Sequence, residues 1–189
     1  MLTGQVKEKN PNSKNKLIKI FFLKLIALAT IWELSYNFVL KPLRIPGKFL
    51  TDTITAGVVA CINLFSPASS HVDWVDDGPQ SVAAFIKHGG RGVFYIADVC
   101  NALDLMVIYL GFIILLPGSF KRKLIFSVAG IIGLIISNII RCTSLYWIAL
   151  DHPSLFDISH HYTFTILMYL LIFSGWLLFI KGSRKNEVH

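Results

Sequence analysis

Charge is what this chain has least of. Only 15% of its 189 residues are charged, while 54% are hydrophobic; a soluble domain has about 25% charged residues. That composition excludes a disordered chain, a collagen and a coiled coil, and it leaves too little polar surface for a soluble globule. Cysteine is scarce too. Cys61, Cys100 and Cys142 form no C-x-x-C pair, which excludes a disulfide-rich secreted module and signals neither a thioredoxin-type dithiol nor a zinc site. There is no H-E-x-x-H, no G-x-S-x-G and no glycine-rich phosphate loop. His71, His88 and His152 lack metal-ligand spacing, so no metal and no cofactor is expected. No internal repeat is present. A cleavable signal peptide is not expected, because the first apolar stretch is too long and no small-residue cleavage site follows it.

Long apolar runs are what the chain does have. Four can cross a hydrocarbon core of about 30 Å, which takes roughly 20 helical residues: about 17–40, 98–116 (stopped by Pro117), 124–150 and 161–180. The expected fold is therefore an all-α integral membrane protein. Residues 17–181 form a four-helix bundle between a basic tail (1–16) and a short C-terminal tail (182–189). Trp32, Trp147 and Trp176 lie towards the span ends, as interfacial aromatics do.

Basic residues set the direction. Lys7, Lys9, Lys14 and Lys16 precede the first span, Lys121–Lys123 fill the turn between the second and third, and Lys181, Arg184 and Lys185 follow the fourth. The positive-inside rule puts these segments, and both termini, on the cytoplasmic side of the inner membrane. The net charge of +7 is then a topology signal. Nucleic acid is not an expected partner, since no aromatics interleave the basic tail; the lipid bilayer is. Residues 41–97 and 151–160 fall outside. In the longer loop, Ile54, Val58, Cys61, Ile62 and Phe65 recur at helical spacing over a stretch too short to span, which predicts an amphipathic surface helix. Two short apolar runs, 82–86 and 93–96, flank a glycine turn and predict a β-hairpin leading into the second span.

Ionisable groups inside a membrane are costly and mark function by default. Here they share a depth. Glu33 lies near the outer end of the first span. Cys100, Asn101 and Asp104 open the second, Asn138 and Arg141 close the third, and His160 and His161 stand at the mouth of the fourth. At about 1.5 Å per residue, most lie roughly 5–15 Å below the outer surface. Cys100 and Asp104 are expected on one helix face, with Asp104 as a partner for Arg141. The bland alternative is that Asp104, Arg141 and Asn138 only hold helices together. With Asp98 as cap, Cys100 falls in a first helical turn, where the helix dipole and a nearby Arg or His favour the nucleophilic thiolate. Cys, His and Arg together are the parts of a thiol acyl-transfer centre; Cys61 and Cys142 read as packing.

These residues resemble a known family. Cys100-Asn101-Ala102-Leu103 is similar to the nucleophile segment of the exosortase/archaeosortase family. Asn138-Ile139-Ile140-Arg141 is similar to its N-x-x-R segment, and Ser159-His160-His161-Tyr162-Thr163-Phe164 to its His segment. The order, and separations of about forty and about twenty residues, also agree. Trp32-Glu33-Leu34-Ser35-Tyr36 with Leu40-Lys41-Pro42 resembles the first span of its short members. The resemblance implies a membrane cysteine protease–transpeptidase that cuts C-terminal sorting signals of exported proteins outside the membrane. Those substrates would be its partners. Cys100 would be the nucleophile, Arg141 the stabiliser of thiolate or oxyanion, and His160 the acid/base, with His161 one residue off the motif. Asn101, Asp104, Asn138 and Glu33 would be supporting residues. Two other readings stay open: a non-catalytic export partner and a membrane thiol oxidoreductase. The sequence does not give the substrate or the oligomeric state.

Overall fold

The computed structural model describes residues 11–43, 46–66, 72–76, 83–88 and 91–185. The expected basic tail up to residue 10, His71 and the glycine turn at 89–90 lie outside the described residues. Helix α1 (Pro11–Ser35) continues through a π turn (Tyr36–Leu40) into the short α2 (Lys41–Leu43). Then follow α3 (Gly47–Phe65), strands β1 (Val72–Asp76), β2 (Ala83–His88) and β3 (Arg91–Ala97), and a 3₁₀ turn at Asp98–Cys100. Helices α4 (Leu103–Leu115) and α5 (Phe120–Asp151) come next. A 3₁₀ turn at Pro153–Leu155, the one-turn α6 (Phe156–Ile158) and a π turn at Ser159–Thr163 lead into α7 (Phe164–Lys185).

Four helical stretches among the described residues are long and apolar enough to cross a membrane: Phe22–Leu43, Gly47–Phe65, Phe120–Asp151 and Pro153–Gly182. This set differs from the expected one in two places. The expected second span, 98–116, contains only a 13-residue helix, about 20 Å long. Ala102 adopts a left-handed conformation (φ 62°) and separates the 98–100 turn from α4. The stretch from Ile54 to Phe65 is not too short to span. It is the C-terminal part of a 19-residue helix that starts at Gly47, because Leu50 and Thr51 continue the buried face towards the N-terminus.

Helices α4, α5 and α7 share one core of Met106, Tyr109, Ile113, Leu134, Met168 and Ile172. Small residues let them close up. Gly130 and Gly175 both abut the Tyr109 ring: a Cβ on Gly175 would lie 2.8 Å from it and one on Gly130 would overlap it. The Tyr109 hydroxyl donates to the Phe126 carbonyl at 3.0 Å. Small residues at crossings are how helices pack where no hydrophobic force separates helix from lipid. The outer surfaces are apolar as well. Ile125, Val128, Ile132, Ile136 and Ile140 make an exposed stripe along α5, as a lipid-facing helix requires. Helix α1 packs on α4, where Leu28 fills the space at Gly111.

A second core joins α3, the sheet and one end of α5. Ile54, Val58 and Ile62 meet Val72, Ile86, Ile96, Cys142 and Tyr146. Asn63 locks the first strand to α3, accepting from the Val72 N–H (2.8 Å) and donating to its carbonyl (3.0 Å). The expected hairpin is present as β2 and β3, with a bulge that leaves Val93 outside the pairing. It is extended by β1, giving an antiparallel sheet in the order β1–β2–β3. This third strand gave little signal, since two of its five residues are aspartates, which are depleted in strands. The chain is thus mostly helical with a small sheet, and not all-α.

Candidate functional site

Three elements meet at a cavity of about 490 Å³. Cys100 enters from the 98–100 turn, Arg141 from α5 and His160 from the π turn before α7, and all three line it. Asn138 ties two of these elements together. Its Nδ2 donates to the Cys100 carbonyl at 2.8 Å, and its Oδ1 faces an Arg141 terminal nitrogen at 3.4 Å. Asn138 is fully buried, so its role is to hold the Cys100 backbone against α5. The Arg141 Nε is buried and has no hydrogen-bond partner. One Arg141 N–H is thus left unused among the described residues, and Arg141 also lines a second cavity, of about 250 Å³, with Ser137 and Phe164.

His160 stacks on Phe156 (ring centroids 5.7 Å, planes 7° apart). His161 is exposed, and its Nδ1 lies 3.1 Å from the Asp157 carbonyl. The two imidazoles touch edge to face at 4.8 Å, but only His160 lines the cavity.

The other expected members lie elsewhere. The Asn101 side chain is buried and used up by structure. It donates to the Gly47 carbonyl (3.0 Å) and the Thr51 hydroxyl (3.2 Å), and accepts from the Leu103 N–H (3.0 Å). It caps α4 and fastens that helix to the start of α3. Asp98 accepts from the Thr51 hydroxyl at 2.7 Å and is not the cap of α4. Cys100 thus precedes the helix and does not sit in its first turn, so the helix-dipole argument for its thiolate falls away. The cation that lines the same cavity is Arg141. The break at Ala102 also undoes the shared face of Cys100 and Asp104. Asp104 is exposed and lines a different, 440 Å³ cavity together with Glu33, Trp32 and Trp176. It does not partner Arg141. Glu33 accepts from Asn37 of the following π turn (Nδ2 to Oε1, 2.8 Å).

Two contributors were not expected. Cys142, read as packing, is buried and lines the Cys100 cavity; its place one turn after Asn138 was the available signal. Phe94, Tyr95, Ile96 and Ala97 of β3 form another wall. Comparison with protein-family models, curated proteins and solved structures finds no match to this chain.

Proposed function

We propose that this chain is a membrane cysteine protease or transpeptidase acting on the C-terminal sorting signals of exported proteins. The observation that carries the reading is that Cys100, Arg141 and His160, far apart in sequence, line one cavity. In the proposed reaction neutral His160 takes the Cys100 thiol proton as Sγ attacks the scissile carbonyl, and the tetrahedral oxyanion is held by Arg141. Collapse breaks the C–N bond and leaves a thioester; the departing amine takes a proton from His160. Neutral His160 then removes a proton from water, or from an acceptor nucleophile, which attacks the thioester and frees the thiol. The test uses the producing organism. Without the chain, exported proteins that end in a short motif, an apolar helix and a basic tail should keep that tail, as read by mass spectrometry. Wild-type protein should restore its removal and Cys100→Ala should not. Tails that stay processed throughout would refute the proposal.

We infer the orientation from the basic segments: both termini and Lys121–Lys123 cytoplasmic, with residues 41–97 and 151–160 outside. Helix α3 is long enough to cross, yet it packs along all three strands. An open sheet edge has no place in hydrocarbon, which supports α3 lying with the sheet on the outer side. Single-cysteine probes give the check. A membrane-impermeant maleimide added outside should label position 154 and miss position 119, where the native residues Ser154 and Ser119 are both exposed. The opposite pattern would put the cavity on the wrong side for exported substrates.

A thiol oxidoreductase is the second reading, favoured by one fact: Cys142 shares the cavity of Cys100. Replacing Cys61 and Cys142 together by Ser separates the two. Processing should persist within a few-fold, because neither thiol takes part in acyl transfer; its complete loss with protein still in the membrane would favour redox chemistry.

A further inference from the structure

Strand β3 ends the sheet. In the order β1–β2–β3 it pairs with β2 on one side only. On its other side, every second residue presents a backbone N–H and C=O that no strand takes. Among the described residues, no backbone hydrogen bond from another element reaches residues 94–97.

The candidate cavity lies along that free side. Phe94, Tyr95, Ile96 and Ala97 all line it, although successive side chains on a strand point to opposite faces. A cavity over one face would meet every second residue. One that meets four in succession runs along the edge, where main chain is within reach. The same strand leads to Cys100, three residues past Ala97. Across the cavity stand Leu145 and Phe156, both apolar, and Arg141 with its unpartnered buried Nε.

We propose that this edge receives the substrate as an added strand. An extended peptide lies against residues 94–97, held by main-chain hydrogen bonds. Its carbonyl oxygens come within reach of the Arg141 guanidinium that lines the same cavity, and its side chains on one face meet the apolar wall. A footprint of four strand residues is about 13 Å of peptide, and a cavity of about 490 Å³ falls in the size range of ligand sites. The site therefore selects an unfolded, extended segment with small or apolar side chains, and reads its backbone before its sequence. The direction in which the peptide is cut rests on Cys100 being the nucleophile; the strand pairing does not.

The experiment perturbs the peptide and leaves the fold alone. Fluorescein-labelled Ala-Val-Ala-Val-Ala-Ala amide is titrated against full-length Cys100→Ser protein in lipid nanodiscs and followed by anisotropy. It is compared with five versions, each N-methylated at one amide from the second residue to the last. N-methylation removes a donor and adds bulk at one edge. Where the peptide footprint covers the methylated amide, alternate positions should weaken binding about tenfold or more, while the positions between stay near the parent. No binding of the parent peptide, or losses that do not alternate, would overturn strand addition. The same peptides ending in a vinyl sulfone are then offered to wild-type protein, with Cys100 alkylation read by mass spectrometry. Alternation in binding without alkylation supports the edge site and counts against Cys100 as nucleophile. Alkylation without alternation does the reverse.

Discussion

His160→Ala is expected to abolish tail removal, and His161→Ala to leave much of it. A positioned general acid–base contributes about a hundredfold to ten-thousandfold, so the first loss should reach the floor of a pulse-chase assay. The two residues are adjacent, and their difference comes from the turn they occupy. His160 faces the cavity, stacked on Phe156, whereas His161 is exposed beside the Asp157 carbonyl. Removing His161 takes away the edge contact to its neighbour and little else. The check is cleavage of a reporter with a C-terminal anchor, alongside the amount of each variant in the membrane. If the outcomes swap, the acid/base is His161.

Arg141→Lys should stay folded and inserted and lose nearly all processing. The charge remains, and a lysine ammonium still suits the space beside Asn138. What disappears is the planar fork that presents two donors at once, and loss of one oxyanion donor typically slows turnover about a hundredfold to a thousandfold. An ion pair with Asp104 does not complicate the result, since Asp104 lines the other cavity with Glu33. The same reporter is followed, with membrane levels of the variant. Near-normal cleavage would reduce Arg141 to a charge. Disappearance of the protein would make it structural.

Much of the candidate site was legible in the sequence. Polar residues inside apolar runs stand out by their cost, and Cys100, Asn138, Arg141 and His160 were found that way. What failed was the assumption that an apolar run is one helix. Apolar residues dominate from Val99 through Leu116, but nothing in the run reports the left-handed Ala102 that breaks it. That break moved Asp104 off the face of Cys100 and turned Asn101 from an expected supporting residue of the site into a cap. Likewise the start of α3 was hidden because Thr51, ahead of the apolar stretch, is polar by composition yet buried. The Thr55 hydroxyl donates to the Thr51 carbonyl at 2.7 Å, inside the helix itself. Cys142 was missed because a cysteine in an apolar helix looks the same whether it packs or lines a cavity. That the chain has helices long and apolar enough to cross a membrane needed only counting, since length and apolarity are properties of the run itself.

The backbone at Ala102 bears on how other chains of this kind can be recognised. Each letter of Cys100-Asn101-Ala102-Leu103 has a separate geometric duty: one lines the cavity, one caps, one turns the chain, one begins the helix. The turning position is 7% exposed and left-handed, so it admits alanine or glycine and rejects a β-branched side chain. A chain reading Cys-Asn-Gly-Leu before an apolar run would keep the arrangement. One reading Cys-Asn-Val-Leu would carry a cysteine in a similar string but could not hold it in the same place.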